Sequence, residues 1–425
     1  MSLLQVNLRP SLALSAIGLI TLALTGHAKA QEIGTRPLQP KPIKIEVDQL
    51  PAPNETESVR KPPQVVTPPG DAKLNVPEGF KVSLFAEVPS ARCLAFTPEG
   101  DLLCAASQEE KIYLLSDKDR DGQADRKEVF LDKAKGANRP FGMAFAEGYF
   151  YLGNMDQVLR YSYERDGENW KLGEKELVTQ LPEGGYNQHW TRNVILSPNG
   201  EWLYVSIGSK TNNDVEQDPR ATVQKMRLDG SERTTFASGL RNPVGLDFHP
   251  ESGALYTNVN ERDGLGDGLV PDYLAEVVEG EFYGWPYTYF TPNHRDPKHT
   301  EGGESIEPEL AARTRTPEVL YEAHSAALGL SFARGNLPAH YRNGAFSALR
   351  GSWNRSQGTG YKIVFVPFGE DNKPLGYYED FVTGFLTDPT GPTTWGRPVG
   401  VIVSPQGEIY FTEEANGRIY RVVAE

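Results

Sequence analysis

The sequence contains few cysteines, fewer basic than acidic side chains, and a single long apolar run. Two cysteines in 425 residues exclude a disulfide-dense scaffold, an iron–sulfur protein and a cysteine-based zinc site. The chain has no Cys-x-x-Cys-His motif, which excludes a c-type haem attachment. With 43 Lys and Arg against 57 Asp and Glu, the formal net charge is −14. This balance predicts no nucleic-acid partner, because binding nucleic acid needs cations that neutralise phosphates.

The apolar run lies at the N-terminus. Arg9 precedes an apolar stretch from Leu12 to Leu24, and an A-x-A motif ends at Ala30. This layout predicts a secretory signal peptide over residues 1–30, cleaved after Ala30. A membrane anchor is the alternative, but the run is shorter than the roughly 20 residues of a spanning helix. We therefore expect a periplasmic or secreted protein with no membrane span after cleavage.

The segment that follows is rich in proline. Residues 31–70 contain nine prolines, few aromatic residues and no periodicity. This composition predicts an extended linker over residues 31–75. A proline-rich motif that binds a partner is the alternative.

From about residue 76 the sequence repeats a single unit. Each copy starts with an Arg or a His, continues as a short strand, turns at Pro, Gly or Asn, and ends in a second strand. The six copies start at Arg92, Arg139, Arg192, Arg241, His324 and Arg397. Repeats of roughly 50 residues with several strands each are typical of propeller blades, whereas a β-sandwich would not repeat one motif six times. We predict an all-β, six-bladed β-propeller over residues 76–425, closed by pairing of the strand at 81–85 with the last blade.

The repeat also predicts where chemistry takes place. The residue that opens each inner strand lies at the same point of its blade, and the segment that leaves the second strand returns to the same face. One mouth of the central channel is therefore expected to carry Arg139, His189, Arg192, Arg241, His324, Arg397, Gln108, Asn154, Asp156, Ser209, Lys210, Asn260, Glu261, Arg262, Glu413 and Glu414. So many cations in an acidic protein predict a buried anionic ligand, with pairing to neighbouring carboxylates as the alternative.

An acidic loop predicts a structural calcium ion. Oxygen ligands at the first, third and fifth positions, with glycine at the sixth, suit a hard cation in a tight turn. The candidate ligands are Asp117, Asp119, Asp121, Gln123 and Asp125. A solvated acidic hairpin loop is the alternative.

The two cysteines flank one turn. If Thr97 pairs with Gly100, Cys93 lies directly opposite Cys104, and an exported chain would permit a cross-strand disulfide. A one-residue bulge would separate them and leave two buried free thiols. The sequence leaves both outcomes open.

Several motifs together resemble a known family. They are the stretches 189–193 (HWTRN), 240–246 (LRNPVGL), 282–286 (FYGWP), 324–330 (HSAALGL) and 396–400 (GRPVG). In order and spacing they are similar to the soluble pyrroloquinoline quinone (PQQ)-dependent sugar dehydrogenases, especially the sorbosone dehydrogenase-like branch, over residues 76–425. The resemblance implies a six-bladed propeller with PQQ and Ca²⁺ at the channel mouth.

The resemblance also implies roles for individual residues. His189 matches the family's base, and His suits that role because its pKa lies near working pH. Arg241 and Arg397 match positions that bind the PQQ carboxylates through guanidinium forks, and Arg241 would also polarise the quinone oxygen during catalysis. Further cofactor-binding positions are Asn260, Arg262, Arg192 and His324. The cofactor Ca²⁺ would sit on the backbone carbonyls of Asn260, Glu261 and Arg262.

One position departs from the family pattern. Glucose-oxidising members support the catalytic His with an Asp, and the matching residue here is Ser209. A hydroxyl cannot stabilise an imidazolium as a carboxylate does, so we expect Asp214 or Glu261 to substitute, or the activity to be low.

The resemblance, together with the signal-like N-terminus, implies an exported PQQ- and Ca²⁺-dependent dehydrogenase. It would oxidise an aldose, a sorbosone-like aldehyde or another sugar alcohol, and pass electrons to a periplasmic acceptor. A non-catalytic propeller that binds a carbohydrate or a protein is one alternative. A Ca²⁺-dependent lactonase-type hydrolase is another, which channel carboxylates would favour and the arginine ring disfavours.

Overall fold

The computed structural model describes residues 33–184 and 189–425, so the predicted signal peptide lies outside the described residues. The helical elements of the described chain are one short α-helix, Pro308–Ala311, and single 3-10 turns at Val47–Gln49, Ser107–Glu109, Lys133–Lys135, Pro297–His299 and Ala339–Tyr341. None of its helices is long and apolar enough to cross a membrane. The prediction of an all-β protein is confirmed.

The strands form six four-stranded antiparallel sheets in the described chain, numbered here in chain order. Sheet 1 holds Ala91–Phe96, Leu102–Ala106, Lys111–Ser116 and Arg126–Asp132. Sheet 2 holds Met143–Ala146, Tyr149–Gly153, Gln157–Asp166 and Asn169–Gln180. Sheet 3 holds Val194–Leu196, Trp202–Ile207, Thr222–Arg227 and Thr234–Ser238.

The remaining sheets follow the same order. Sheet 4 holds Pro243–Phe248, Leu255–Val259, Pro271–Glu276 and Val319–Ala323. Sheet 5 holds Ala327–Phe332, Gly344–Leu349, Lys362–Pro367 and Glu379–Val382. Sheet 6 holds Pro398–Val403, Ile409–Glu413 and Arg418–Ala424, and its fourth strand is Phe80–Glu87 from the start of the chain. The expected pairing of an early strand with the last sheet is therefore confirmed.

The sheets follow one another in a closed ring. The first strand of each sheet contacts the first strands of the sheets before and after it, and sheet 6 contacts sheet 1. A glycine in the repeat permits this approach: a Cβ on Gly245 would lie 2.3 Å from the Leu328 carbonyl oxygen, and one on Gly400 would lie 2.1 Å from the Arg92 carbonyl oxygen. The repeated glycine is thus a packing requirement of the inner strands.

An apolar core lies between every pair of adjacent sheets. Successive side chains of a strand point to opposite faces, so each sheet serves two cores. In sheet 3, Tyr204 packs toward sheet 4, whereas Leu203 and Val205 pack toward sheet 2. This arrangement explains why the strands contain apolar residues on both faces.

The proline-rich segment predicted as an extended linker is extended, but it lies along the sheets. Its strand Thr35–Leu38 pairs in parallel with Leu74–Pro77, and Gln64–Val65 pairs in parallel with Thr393–Thr394. The proline-rich segment is therefore part of the folded body.

The described chain has three further short strands, Leu386–Asp388, Thr300–Glu301 and Glu304–Ser305.

The two cysteines are free thiols, so the disulfide alternative is not realised. The turn between the first two strands of sheet 1 is one residue longer than the pairing of Thr97 with Gly100 requires: the Thr97 amide donates to the Asp101 carbonyl at 2.8 Å, and Gly100 adopts φ +93°. This is a three-residue hairpin with a glycine bulge. The register shifts by one residue, so Cys93 pairs with Ala105 and Cys104 pairs with Leu94.

Candidate active site

A cavity of about 270 Å³ opens at one end of the ring. Its walls come from residues at the starts of inner strands and from segments that leave second strands, as the repeat predicted. Predicted site residues in its lining are His189, Arg241, Asn260, Glu261, His324 and Arg397. Residues that the sequence did not assign to the site also line it: Arg60, Pro62, Pro63, Arg92, Thr191, Asn242, Asp263, Asp272, Ala326, Leu328, Arg350, Trp353 and Asn354.

An apolar cluster forms the floor of the cavity. It consists of the buried side chains Phe141, Trp190, Val244, Leu328 and Val399 from five segments around the axis. Phe141 also lines a second cavity of about 350 Å³ among the inner strands, so the cluster separates the two spaces. The floor therefore confines a ligand of the first cavity to its mouth.

His189 is one of two buried imidazoles that line the cavity, with 5% of its surface exposed. Its Nδ1 lies 3.0 Å from the hydroxyl oxygen of Ser209, and that hydroxyl donates to the Thr211 carbonyl at 2.6 Å. Because a serine hydroxyl has one proton, Ser209 must accept from Nδ1–H. This contact fixes the tautomer that carries the ring's lone pair on Nε2.

The charge state of His189 suits a base. Burial, reinforced by the neighbouring Arg241, holds the pKa of His189 well below its ordinary value. The imidazole is therefore neutral near pH 7 and able to accept a proton. Asp263 raises this pKa, so its negative charge favours the protonated ring. The two residues expected to take the place of the family's Asp have other partners. Asp214 forms a surface ion pair with Lys298, and the Glu261 carboxylate accepts from the Arg262 amide at 2.9 Å.

Asp263 connects several polar groups of the cavity. Its carboxylate lies 3.3 Å from Nη2 of Arg241 and 3.6 Å from Nδ1 of His324, and it accepts from the Asn354 amide at 2.8 Å. Burial alone would raise the pKa of Asp263, but His324 and Arg241 outweigh it and lower this pKa to about 2. Asp263 is therefore ionised. The sequence offered one signal for it, its position just after the second strand of sheet 4.

Three arginines, Arg92, Arg350 and Arg397, cluster near the Glu414 carboxylate. Arg92 and Arg350 both form ion pairs with Glu414, and Nη2 of Arg397 donates to the Gly351 carbonyl at 2.9 Å. Burial and the neighbouring Arg350 lower the pKa of Arg397 to about 9. Among the described residues this cluster has two positive charges more than its carboxylate balances. A wall of this kind binds an anion through charge-assisted hydrogen bonds.

Arg241 is occupied by protein partners. Nε donates to the Asn212 backbone at 3.0 Å, and Nη2 donates to the Asn212 side chain at 2.9 Å. Nη1 donates to the backbone carbonyls of Asn260 and Glu261, at 3.2 and 2.6 Å. With Asp263 on Nη2 as well, the guanidinium serves to hold the loops around the cavity together. The excess positive charge of the cavity lining therefore lies in the Glu414 cluster.

The carbonyls predicted to hold a cofactor Ca²⁺ do not fit that ion as arranged. Those of Asn260 and Glu261 accept from Arg241, so a cation bound to these oxygens would lie beside the positive charge of a guanidinium. Burial raises the pKa of the Glu261 carboxyl to about 8, which leaves it neutral at pH 7. Arg262 points away from the cavity lining and pairs with Asp296 at 2.7 Å.

Two further predicted arginines lie outside the cavity lining. Arg192 is fully buried and donates to four backbone carbonyls, including those of His189 and Thr191 at 3.0 and 2.8 Å. Arg139 stacks on the ring of Trp190, with 5.5 Å from its guanidinium carbon to the ring centroid. Both contact the segment that carries His189, and neither lines this cavity.

Several residues of the cavity lining have a buried polar atom with no hydrogen-bond partner among the described residues. These atoms are Oδ1 of Asn242, Oγ1 of Thr191, Oδ1 of Asn354 and Nε of Arg92, all on residues that line the cavity. Unsatisfied buried groups are costly, so their gathering here fits a polar ligand that completes them. Together with the arginine cluster, they fit a planar, multiply carboxylated group such as PQQ.

The acidic loop predicted to bind calcium connects the third and fourth strands of sheet 1, away from the cavity. Carboxylate oxygens of Asp117, Asp119 and Asp125 all lie within 4.8 Å of one another. The Asp121 carboxylate instead accepts from the Gln123 amide at 2.8 Å. Three of the five predicted ligands therefore converge.

Comparisons with known proteins place this geometry in context. The family model described as TrAA12-like matches residues 74–270 and 276–425. An uncharacterised protein of Borreliella burgdorferi is 30% identical over 375 residues, which is 83% of this chain and 91% of the relative. The PQQ-dependent pyranose dehydrogenase of Coprinopsis cinerea is 26% identical over 288 residues, 55% of this chain and 39% of that protein. The holo structure of the Coprinopsis PQQ domain superposes with a TM-score of 0.68 at 20% identity, covering 84% of this chain and 99% of the domain.

Proposed function

The chain belongs to the TrAA12-like family, and on this premise we propose that it is a PQQ-dependent sugar dehydrogenase. The resemblance drawn from its motifs is confirmed at the level of the family. We further propose that its six sheets are the six blades of one β-propeller. The observation that supports the activity best is the cavity itself, which places a neutral His189 and a positively charged arginine cluster around one space.

The cofactor-binding residues follow from the cavity walls. Arg397, Arg350 and Arg92 would bind the carboxylates of PQQ, and Asn242 and Thr191 would contribute their unpartnered polar atoms. When bound, PQQ supplies the oxidising chemistry by accepting the hydride of the substrate carbon. The protein supplies binding, orientation and the movement of the proton.

His189 is the group that moves this proton. Nε2 accepts it from the sugar hydroxyl while Ser209 holds the opposite ring nitrogen and thereby the orientation of the imidazole. The proton acquired makes the ring cationic, and the ionised Asp263 is the carboxylate whose charge favours that state. Burial and Arg241 outweigh this support, so the ring is neutral until it accepts the proton.

The carboxylates of the cavity argue against a calcium-dependent hydrolase. Asp272 accepts from the amides of Glu261 and Ala326, at 2.9 and 2.6 Å, and Asp263 is held by Arg241 and Asn354. With these oxygens engaged by protein donors, the described lining offers no set of carboxylates for an axial metal ion.

We place calcium instead on the acidic loop of sheet 1, where it would stabilise the fold. The convergence of Asp117, Asp119 and Asp125 and the left-handed Gly122 support this proposal. Calcium should raise the melting temperature of the wild type and leave that of Asp125→Asn unchanged in thermal unfolding scans. An equal rise in the variant would contradict the site.

We also propose that the protein is exported and passes electrons to a periplasmic acceptor, on the strength of the signal-like residues 1–30. When the full chain is expressed in a bacterium with a periplasm, mass spectrometry of the periplasmic protein should give Gln31 as its first residue. A cell-retained product that keeps residues 1–30 would contradict export.

The activity is tested by titrating the purified protein with PQQ and measuring dye reduction with a panel of sugars. His189→Gln should bind PQQ normally and lose dye reduction by at least about a hundredfold, the scale of general-base catalysis. His340→Gln is the matched control, because His340 lies half-exposed beside Glu379 and outside the cavity lining. Absence of saturable PQQ binding in the wild type would refute the proposal.

A further inference from the structure

A short segment of the proline-rich arm crosses the mouth of the cavity. We call residues 54–66 the strap. Its first half is fastened to the loop after the second strand of sheet 4, where the Gly266 amide donates to Ser58 Oγ at 3.0 Å and the Asp267 amide donates to Thr56 Oγ1 at 2.8 Å. The Asn54 amide adds a third bond, to the Leu265 carbonyl at 2.7 Å.

The second half of the strap is fastened to the other side. The Lys61 amide donates to the Trp353 carbonyl at 2.8 Å, and Gln64 and Val66 donate to backbone carbonyls at 2.8 and 2.9 Å. The ammonium of Lys61 donates to the Ser356 carbonyl at 3.0 Å, so this cation is used as an anchor. The backbone of Arg60 is thus held between two fixed points.

The side chain of Arg60 has a different environment from that of Lys61. The Arg60 side chain is exposed, lines the cavity beside Pro62 and Pro63, and forms no hydrogen bond or ion pair with the described residues. Pro62 and Pro63 restrict the backbone at this point and have no amide protons that need partners. The strap therefore presents one unpaired guanidinium at the mouth on a restrained backbone.

The position of Arg60 distinguishes it from the deeper arginines. Arg92 and Arg397 are buried, with 4% and 9% of their surfaces exposed, and Arg60 lies at the solvent side of the same cavity. A molecule that enters the cavity from solvent on this side comes close to Arg60. The local charge of an exposed guanidinium favours anions over neutral molecules, even though the protein as a whole is acidic.

We infer that Arg60 binds an acidic group of the substrate, and that the substrate class is an acidic sugar, carrying a carboxylate or a phosphate away from the oxidised carbon. This inference rests on the proposed dehydrogenase activity. It makes Arg60 a specificity-determining residue, contributed by the strap and not by the ring of sheets.

The test compares Arg60→Gln, Arg60→Lys and the wild type on glucose, glucuronate and glucose 6-phosphate. Dye reduction gives kcat/KM, and calorimetric titration of each sugar gives binding without turnover. Arg36→Gln is the matched control, because Arg36 is an exposed arginine of the same arm in the strand Thr35–Leu38, outside the cavity lining. PQQ affinity is measured for every variant.

Arg60→Gln should lower kcat/KM and binding for one or both acidic sugars by about tenfold, the scale of a charge-assisted hydrogen bond, and leave glucose unchanged. Whichever acidic sugar loses more identifies the group. Arg60→Lys should retain part of the preference, added salt should weaken it, and Arg36→Gln should match the wild type.

Two results would overturn the inference: equal losses for glucose and the acidic sugars, or weaker PQQ binding with unchanged preference among sugars. Failure of the wild type to oxidise any sugar would refute the proposed activity instead. In that case the calorimetric comparison of glucuronate with glucose still decides the role of Arg60.

Discussion

Ser209 accepts a hydrogen bond from His189 Nδ1 across 3.0 Å, because its own proton is donated to the Thr211 carbonyl. The hydroxyl thus determines the tautomer of the imidazole without contributing a charge. A carboxylate at this place would fix the same tautomer and also stabilise the protonated ring. The difference between the two is measurable as a pH dependence.

Ser209→Ala should lower kcat by about tenfold with little change in KM, because the base remains but its tautomer and orientation are no longer fixed. The measurement is steady-state dye reduction at saturating PQQ. Thr222→Ser provides a control in a buried hydroxyl of sheet 3 that is outside the cavity lining. An unchanged kcat in Ser209→Ala would show that the Ser209 contact has no positioning role.

The pH profile of the wild type should report the lowered pKa of His189. The base works when neutral, so kcat/KM should be level from pH 8 down to about 6.5 and fall only in more acidic solution. Ser209→Asp adds a negative charge beside the ring, raises the pKa of His189, and should move the acid limb to higher pH. Identical acid limbs in the two proteins would contradict this assignment.

Arg397→Gln should weaken PQQ binding, whereas Arg241→Gln should lower the stability of the fold. Arg397 belongs to the cluster with excess positive charge, so its loss should weaken PQQ binding by about 10- to 100-fold and leave the fold intact. Arg241 holds loops together through five protein hydrogen bonds, so its loss should cost about 3–5 kcal/mol of stability. PQQ titration and urea unfolding of both variants decide. A stable Arg241→Gln that fails to bind PQQ would reverse the two roles.

Lowering the pH should destabilise the protein because the Glu414 carboxylate becomes protonated. Burial alone would raise its pKa, but Arg92 and Arg350 outweigh this and lower it to about 2, from an ordinary 4.5. A lowered carboxyl pKa adds stability that is complete above the ordinary value and is lost as pH falls toward 2. Glu414→Gln should be less stable at pH 7 by about 3 kcal/mol, and should lose less stability than the wild type between pH 7 and pH 3 in urea unfolding. Parallel losses in the two proteins would show that other groups govern acid unfolding.

Cys93 and Cys104 should titrate as two thiols per chain in the unfolded protein without prior reduction, because the register keeps them on opposite faces of sheet 1. Burial raises the pKa of Cys93 to about 12, so the folded protein should react slowly with a thiol reagent at pH 8. The measurement is thiol titration with and without denaturant. Detection of thiols only after reduction would require the other register.

The sequence repeat anticipated most of the architecture, because the same glycine and the same opening Arg or His recur where inner strands approach each other. It also placed His189, Arg241, His324 and Arg397 at one mouth. The repeat predicts that residues opening an inner strand or following a second strand lie at this mouth. Arg92 opens a copy of the unit and Arg350 follows a second strand, so both satisfy this prediction. Neither residue was among those predicted at the mouth, because only some of the residues at these two positions were included.

Other features depend on contacts that a linear pattern does not encode. The saturation of Arg241 depends on how the loop carrying Asn212 folds back against it. The cysteine register turned on one extra residue in a hairpin. The strap gave no signal beyond extended composition, since its anchors are backbone groups scattered from Leu265 to Thr394.

The strand Phe80–Glu87 pairs with Arg418–Ala424, so an early segment of the chain completes the sheet that is made last. During synthesis this strand emerges from the ribosome with no partner and must wait for nearly the whole polypeptide. Until then the unfinished sheet 6 exposes an unpaired edge, and sheet 1 exposes the apolar face that later packs against sheet 6. Both surfaces attract other chains. Closure of the ring therefore depends on the seven residues Arg418–Ala424. A translation product that stops before Arg418 can form sheets 1 to 5 but cannot close the ring.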